Sequence, residues 1–283
     1  MIETPKTATI KKGIDIELNI ESLAYGGMGL ARENNFVIFV KGAIPGQRVL
    51  ARVYKKKSGF AEARVLKVLI ESKKAVDTKC NHFYICSKIQ SLSYDEQIIE
   101  KSNQVEDIFN RLGGILDFKV DYKVPAKKIF NYRNKMEFTF SPHRWVLETE
   151  PEDVEKNFAL GLHMTGRYDK ILDIENCHIQ PSIGNKILKV AREVCKSNLD
   201  LKPYDPKTHI GFLRYLMIRF GVNTNQIMVN IVTSYNDLNK LSPLIDMLLK
   251  EIPEITSMVN NVNTRKSDVS FGEYETLVFG KPY

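Results

Sequence analysis

Short runs of alternating apolar and polar residues fill the first quarter of the chain. IDIELNI, NFVIFV and RVLARVY repeat with a period of two, and glycine- or proline-containing turns separate them. This period is typical of strands with one buried face, and several such strands at close spacing favour a small closed sheet. We therefore predict an OB-like β-barrel of about five strands over residues 1–72.

A helical pattern follows in the segment 73–118. Ser93 and Glu96 have the spacing of a capping box, and apolar residues then recur at helical spacing as far as Gly113. The predicted apolar stripe consists of Ile98, Ile99, Val105, Ile108, Phe109 and Leu112. By default such a stripe packs against another part of the protein.

Residues 119–283 mix both periods, which favours an α+β domain with a mainly antiparallel sheet. Helices are predicted over Ser182–Lys196 and Leu238–Leu249. The turn GVNTN between two strand-like runs predicts a hairpin. The strand-like runs are KMEFTFSP, FALGLHM, LRYLMIRF, QIMVNIVT, ITSMVNNVN, DVSFG and TLVFG.

The charge of the chain is unevenly distributed. The net charge is +7, and through Lys79 there are fifteen Lys and Arg against eight Asp and Glu, with twenty-six of each in the remainder. A basic module on a neutral body favours binding of a polyanion, of which nucleic acid is the commonest, although a solubilising surface is the alternative. No run of about eighteen apolar residues or apolar signal core is present, so we expect a cytoplasmic protein without a membrane partner.

The turn KKKSGF is the first candidate for nucleic-acid contact. Lys55, Lys56 and Lys57 can hold phosphates, while Phe60 can stack on a base. A solvated hairpin tip is the alternative. The glycine cluster YGGMG is interpreted as a turn between strands, because a phosphate-binding loop should open a helix and here another strand pattern follows.

Several segments, in order, resemble the S-adenosylmethionine-dependent RNA uracil-5-methyltransferases that act on ribosomal or transfer RNA. GGMGLAR and IPGQRV resemble the N-terminal TRAM domain of that family, which holds RNA. NYRNKMEFTF and NNVNTRKSDVSFG match hallmarks of its central domain. The resemblance covers nearly the whole chain and implies a TRAM barrel, a cysteine-containing junction at 73–118 and a central RNA-binding domain.

Two further candidate RNA-binding clusters lie in these hallmarks. Tyr132, Arg133, Asn134 and Lys135 place a ring, a guanidinium, an amide and an ammonium side by side, which are groups that grip phosphates and unstacked bases. Arg265 and Lys266 form a second cluster. Surface charge is the alternative for each, and the resemblance implies that both lie near structured RNA, with ribosomal RNA preferred.

In the resembled family, a C-terminal domain carries the chemistry. A cysteine thiolate adds to the uracil ring, and S-adenosylmethionine supplies the methyl group. We find no strand, glycine-rich loop and helix unit for that cofactor, and no cysteine after Cys195. We therefore expect no catalytic residue in this chain, a missing C-terminal methyltransferase domain and no activity of the chain alone. A non-catalytic RNA-binding protein or RNA chaperone is the alternative.

That expectation extends to the helix 93–112. In the family, this helix packs against the catalytic domain, so we expect its apolar face to be less buried than the pattern alone suggests. An exposed apolar face could form a dimer.

Three cysteines resemble a degenerate iron–sulfur motif. Many family members bind a four-iron cluster through C-x5-C-G-G-C and a later cysteine; Cys80 and Cys86 have the first spacing, and Cys177 matches the later ligand. Residues 87–89 read Ser-Lys-Ile where Gly-Gly-Cys is expected. Because cubane clusters normally use four thiolates, we predict a metal-free remnant.

Two metal-bound alternatives remain open. Cys195 is a possible fourth ligand, although its helical position favours a small buried thiol. His82 and His178 neighbour Cys80 and Cys177, so a zinc site with mixed ligands is the second alternative.

Overall fold

A computed structural model of the chain describes residues 10–147, 150–267 and 269–281. The chain divides into two compact units, Met1–Lys127 and Lys128–Tyr283. Within the described ranges, no helix has the length and apolar character needed to span a bilayer.

Unit 1 is built on a six-stranded sheet with the order β1-β5-β6-β4-β3-β2. Neighbouring strands are antiparallel except for β4 and β6. The strands are β1 (Asp15–Asn19), β2 (Ser22–Ala24), β3 (Met28–Glu33), β4 (Phe36–Lys41), β5 (Arg48–Lys56) and β6 (Phe60–Ile70). The prediction of about five strands was one strand short, because β2 has only three residues, too few to establish a period in the sequence.

Alternation places the core of this sheet on one face. In β5, the side chains of Val49, Ala51 and Val53 are fully buried. Between them, Leu50 is half-buried and Arg52 is exposed. The glycine cluster forms a turn between β2 and β3, with φ of 91° at Gly26 and 83° at Gly27. Only glycine adopts such angles without cost, so the interpretation of YGGMG as a turn is confirmed.

The helix of the junction is present but begins without the predicted capping box. A short helix α1 (Phe83–Cys86) precedes α2 (Tyr94–Asp107), which continues into a π-helical turn over Ile108–Leu112. The Ser93 side chain makes no capping hydrogen bond. The Glu96 carboxylate instead lies 2.8 Å from Lys74 Nζ, so the reciprocal contact that defines a capping box does not form.

Polar side chains of α2 contact the six-stranded sheet. Glu100 accepts a hydrogen bond from the Leu23 backbone N–H (3.1 Å), and Gln104 donates to the Leu23 carbonyl (3.0 Å). Phe109 and Leu112 remain 40% and 69% exposed. The expected exposure of the apolar face of this helix is therefore confirmed in unit 1.

The boundary between the units falls at 127/128, whereas the sequence interpretation placed it at 118/119. Residues 119–127 belong to unit 1 because they contact α2. Lys119 Nζ lies 3.0 Å from the Glu106 carboxylate, and the Ala126 N–H donates to the Tyr94 hydroxyl (2.7 Å). These contacts join residues far apart in sequence, which a pattern of local periodicity does not register.

Unit 2 contains an eight-stranded sheet with the order β14-β13-β12-β11-β7-β9-β10-β8. Five neighbouring pairs are antiparallel and two are parallel, β12–β13 and β8–β10. The elements are β7 (Lys135–Ser141), β8 (Arg144–Trp145), β9 (Ala159–Met164), β10 (Arg167–Asp173), α3 (Ser182–Ser197), β11 (Leu213–Gly221), β12 (Gln226–Thr233), α4 (Leu238–Glu251), β13 (Ser257–Val262) and β14 (Tyr274–Gly280). A mainly antiparallel α+β unit is therefore observed.

Most predicted elements of unit 2 are present. Both helices and the β11–β12 hairpin form as expected. The run DVSFG was wrongly predicted to be a strand: Val269–Gly272 form no strand, and Asp268 lies outside the described residues. The carbonyl of Val269 instead accepts a hydrogen bond from the Asn263 side chain (2.7 Å), which holds this run as a loop.

Gly161 in β9 is a position where close backbone approach requires glycine. An added Cβ would lie 1.9 Å from the Leu172 carbonyl oxygen and 2.9 Å from the Ile174 nitrogen. Gly166, in the following turn, has φ of +79° but open space around it. Gly161 is therefore required because a larger residue would clash with the backbone. Gly166 is favoured because of its backbone conformation.

We predict that Gly161→Ala lowers the free energy of unfolding of unit 2 by about 3 kcal/mol, because backbone atoms cannot yield to the methyl group. Gly166→Ala is the matched control and should cost about 1 kcal/mol through backbone strain alone. Trp145, the sole tryptophan, lies in β8, so its fluorescence during urea unfolding reports on this unit. Equal losses in both variants would contradict the steric interpretation.

Candidate nucleic-acid interface

The first candidate surface is the lysine turn, residues 55–60, which joins β5 to β6. The Lys57 N–H donates to the Phe60 carbonyl (2.8 Å) and closes the turn. Lys55, Lys56 and Lys57 are all exposed. Lys55 Nζ lies 2.5 Å from the Glu62 carboxylate, so this lysine is paired within the unit.

Aromatic side chains accompany these lysines. The rings of Phe60 and Phe39 meet edge to face with centroids 5.6 Å apart, and Lys56 Nζ lies 5.5 Å from the centre of the Phe36 ring. Phe36 and Phe39 were missed by the sequence interpretation because they lie on β4, which pairs in parallel with β6. Their half-buried positions beside lysines give the combination that single-stranded nucleic acid uses, stacking platforms with nearby positive charge.

Two ionisable side chains, Tyr54 and Glu62, form hydrogen bonds beside this turn. The pKa of Glu62 is lowered, chiefly by its hydrogen bond to Lys55. The pKa of Tyr54 is raised to about 12 by burial and by the hydrogen bond of its hydroxyl to Glu62 (3.0 Å). At neutral pH, Tyr54 is therefore an uncharged donor to an ionised Glu62.

The second candidate surface is the YRNK segment, Tyr132–Lys135, at the start of β7. All four residues are exposed, with Tyr132 at 57%. The segment is held through its backbone, because the Arg133 N–H donates to the Ile179 carbonyl (2.8 Å) and the Phe220 N–H donates to the Asn134 carbonyl (2.8 Å). Because these hydrogen bonds use backbone atoms, the exposed side chains of Tyr132 and Asn134 are available to bind a ligand.

The third candidate surface is the 263–267 loop, which follows β13. Arg265 and Lys266 are exposed, and Arg265 Nε lies 3.0 Å from the Glu273 carboxylate. The pKa of Glu273 is lowered, first of all by backbone hydrogen bonding from Thr264 (3.0 Å). The loop therefore exposes the Arg265 guanidinium, whose charge is partly neutralised by Glu273, and the Lys266 ammonium.

Arg214 anchors this loop from within unit 2. Arg214 is only 2% exposed. Its guanidinium donates hydrogen bonds to the carbonyls of Asn263 (2.9 Å), Arg265 (2.6 Å) and Ser267 (2.7 Å). Its guanidinium also stacks 4.3 Å from the centre of the Tyr204 ring. The sequence pattern shows Arg214 only as an interruption of an apolar strand, so its anchoring role was missed.

The YRNK segment and the 263–267 loop lie at opposite ends of β11. Phe220, which bonds the first, and Arg214, which bonds the second, are six residues apart on one strand, or about 20 Å at the usual rise per residue. The two predicted clusters in unit 2 therefore do not merge into one contact. A ligand that touches both must extend along the sheet.

The cysteines divide between the units. In unit 1, Cys80 precedes α1 and Cys86 is the last residue of α1, while Cys177 is buried in unit 2. The Gln90 amide lies 3.8 Å from Cys80 Sγ and accepts from the Lys79 N–H (2.8 Å). In the described parts of the chain, no three or more His, Cys, Asp or Glu side chains gather as a metal site would require.

Cys195 is buried on α3, as a small buried thiol was expected to be, and burial raises the pKa of its thiol. A raised thiol pKa disfavours the thiolate that metals require. Asn185 holds the Cys177 backbone, accepting from its N–H (2.8 Å) and donating to its carbonyl (3.2 Å).

Comparison with known proteins first identifies a class of domain. Residues 11–66 match the family model of the TRAM domain, which confirms the interpretation of the first segment. The chain is also similar to an uncharacterized RNA methyltransferase of Chlorobaculum tepidum, with 36% identity over 96% of this chain and 58% of the relative. A second such relative, from Halalkalibacterium halodurans, is 31% identical over 98% of this chain and 58% of its own length.

A solved structure gives the same indication. The chain is similar to a Pyrococcus abyssi tRNA (uracil-54, C5)-methyltransferase in complex with S-adenosyl-L-homocysteine, with 25% identity and a TM-score of 0.64 over 94% of this chain and 55% of that one. The chain thus spans a little over half the length of the proteins it matches. Because the matches run along nearly all of this chain, they give no support to the expectation that it is inactive, which stays a prediction.

We predict that Arg214→Met lowers the free energy of unfolding of unit 2 by about 3 kcal/mol, because the carbonyls it bonds would lose a charged donor. Arg214→Lys should recover only part of the loss, since an ammonium lacks the planar fork of a guanidinium. Hydrogen exchange of residues 263–267 should accelerate in both variants.

Arg219→Gln is the control, because Arg219 is an exposed arginine of the same strand. Its effect on unfolding should stay within about 0.5 kcal/mol. Unchanged exchange in the 263–267 loop of Arg214→Met would contradict the anchoring role.

Proposed function

We propose that this chain is the RNA-recognition part of an S-adenosylmethionine-dependent RNA uracil-5-methyltransferase. The observation that carries the proposal is the likeness along 94% of the chain to a tRNA (uracil-54, C5)-methyltransferase. The relatives described as RNA methyltransferases support the reaction class. In such a reaction S-adenosylmethionine supplies the methyl group.

We further propose structured RNA as the partner and the three candidate surfaces as its contacts. The TRAM match contains the lysine turn, where exposed ammonium groups lie beside Phe36, Phe39 and Phe60. Ribosomal RNA is the preferred substrate because a TRAM barrel is the more usual attachment in that branch of the family. Transfer RNA is the second candidate, favoured by the substrate named for the Pyrococcus abyssi relative.

RNA binding that depends on these surfaces is the first test. We predict that replacing Lys55, Lys56 and Lys57 by Ala weakens binding of ribosomal RNA fragments at least tenfold at low salt. The slope of log affinity against log salt should fall by roughly 0.7 to 0.9 for each phosphate that the variant no longer neutralises. Arg133→Ala and Arg265→Ala should each weaken binding less than the triple variant, since each removes one charge.

Lys189→Ala provides the matched control, because Lys189 is an exposed lysine on α3 outside all three surfaces. Fluorescence anisotropy with labelled ribosomal and transfer RNA transcripts would measure each affinity. Equal affinity in the triple variant and in Lys189→Ala would contradict the proposed surface. Tighter binding of transfer RNA would reverse the preference for ribosomal RNA.

Methyl transfer separates the proposal from a purely binding protein. With labelled S-adenosylmethionine and RNA, we expect this chain alone to incorporate no label, because its sequence offers no recognisable cofactor loop. Incorporation into uracil would overturn that expectation while supporting the reaction class. A non-catalytic RNA-binding protein or RNA chaperone is the alternative function that the same assay tests. Sedimentation tests separately whether the chain forms a dimer through helix 93–112.

We propose that Cys80, Cys86 and Cys177 are a metal-free remnant of an iron–sulfur motif. The donor set does not fit a four-iron cluster, since three cysteines supply three of the four thiolates it normally requires. The Gln90 amide beside Cys80 Sγ supplies a neutral hydrogen-bonding contact in that stretch. Structural stability of the stretch is then expected to be independent of metal.

Metal removal tests this proposal directly. After anaerobic purification, treatment with a chelator should leave the melting temperature unchanged, and elemental analysis should find no stoichiometric iron or zinc. Cys86→Ser should likewise leave it unchanged, because Cys86 is exposed. Bound iron or zinc together with a lower melting temperature after chelation would contradict the proposal.

A further inference from the structure

A cleft of about 600 Å³ opens beside the 263–267 loop in unit 2. Lysines from three separate segments line it: Lys202 precedes β11, Lys240 lies in the first turn of α4, and Lys266 belongs to the loop. Tyr235 and Phe212 form an aromatic part of the wall. Only Lys266 was among the residues that the sequence suggested.

Tyr235 is the exposed aromatic surface of this cleft. It is 42% exposed, while the Phe212 ring behind it is fully buried, with centroids 4.8 Å apart. The Ser234 N–H donates to the Phe212 carbonyl (2.8 Å), and Thr233 Oγ1 donates to the Tyr235 carbonyl (2.9 Å). The ring is therefore supported from behind and held through its backbone.

Lys240 places a positive charge beside the Tyr235 and Phe212 rings. Its Nζ donates to the Tyr235 hydroxyl (3.0 Å) and lies 5.2 Å from the centre of the Phe212 ring. The pKa of Lys240 is raised, first by that hydrogen bond and then by nearby groups that include Asp200 and Asp237. Asp237 already accepts from the Lys240 N–H as the cap of α4 (3.0 Å), so its carboxylate has a structural role.

The chemistry of this wall fits a nucleotide better than a purely apolar ligand. An unstacked base can lie on an aromatic ring, while its flanking phosphates require positive charge within reach. Tyr235 supplies the first group, and Lys202, Lys240 and Lys266 supply the second. A duplex cannot offer the base, because its bases are already stacked and paired.

We propose that this cleft binds one unstacked nucleotide from a single-stranded loop of the RNA, with its base on Tyr235 and its phosphates at Lys202, Lys240 and Lys266. The inference rests on the proposed RNA-binding function and adds a subsite to it. This subsite adds recognition of an unstacked base by unit 2, and the ammonium groups of the lysine turn additionally attract the phosphates of any RNA.

The test compares two RNA probes of equal charge with the full chain. One is a fluorescent hairpin RNA with a uridine-rich single-stranded loop, and the other is a fully paired duplex with the same number of phosphates. Tyr235→Ala should weaken hairpin binding about tenfold and leave duplex binding unchanged, since base stacking alone is removed. Tyr235→Phe keeps the ring and should retain hairpin affinity.

Tyr274→Ala is the matched control, because Tyr274 in β14 is similarly exposed at 47% and lies outside the cleft lining. It should leave both affinities unchanged. Trp145 fluorescence during unfolding checks that Tyr235→Ala is folded. If it is not, photocrosslinking of wild-type chain to the hairpin carrying 5-iodouridine decides, with the crosslink expected at Tyr235.

The outcomes separate the two levels of the proposal. Hairpin binding that is abolished in the lysine-turn variant but kept in folded Tyr235→Ala would overturn the subsite while leaving the proposed function intact. Equal weakening of hairpin and duplex would make the cleft a phosphate site and overturn base stacking, as would crosslinks that avoid Tyr235. No binding of either probe by the wild-type chain would overturn both proposals.

Discussion

Burial of the Arg214 guanidinium is the constraint on which the candidate site of unit 2 depends. A buried cation is costly unless donors and acceptors around it are matched. Arg214 meets most of that requirement through its two terminal nitrogens, which donate to three carbonyls of the 263–267 loop, and through the face of Tyr204; its buried Nε has no hydrogen-bond partner among the described residues. The loop is therefore positioned by a residue that is itself buried, and Lys266 lies beside the cleft as a consequence.

Some cations of the candidate surfaces are paired with carboxylates, which reduces the charge that they offer to a phosphate. Lys55 and Arg265 each lie within 3.0 Å of a carboxylate, Glu62 and Glu273 respectively. Both carboxylates have lowered pKa values and stay ionised at neutral pH. Exposed ion pairs of this kind contribute little to stability, so their main effect is to orient the cation and reduce its local charge. Lys56, Lys57 and Lys266 then carry more of the attraction for phosphate.

Recognition of single-stranded RNA requires aromatic rings that are fixed in position by neighbouring residues and still have a face accessible to a base. In unit 1, Phe60 meets Phe39 at the lysine turn, and in unit 2, Tyr235 rests on buried Phe212. In both cases a half-exposed ring is backed by a second ring, and a lysine ammonium lies within 6 Å of the pair. Such support limits the conformational entropy that a stacking base would otherwise remove on binding. The two units thus reach similar local chemistry with unrelated sheets.

The sequence by itself determined the elements with a clear period, including α3, α4 and the β11–β12 hairpin, and the basic character of the first segment. It also singled out Lys266 and the lysine turn. Only the tertiary structure decided the added strand β2, the loop at Val269–Gly272, the separation of the YRNK segment from the 263–267 loop, and the meeting of Tyr235 with Lys240 and Lys266. Periodicity is a local property of the chain, whereas strand order and register bring distant residues together and are set by packing of the whole sheet.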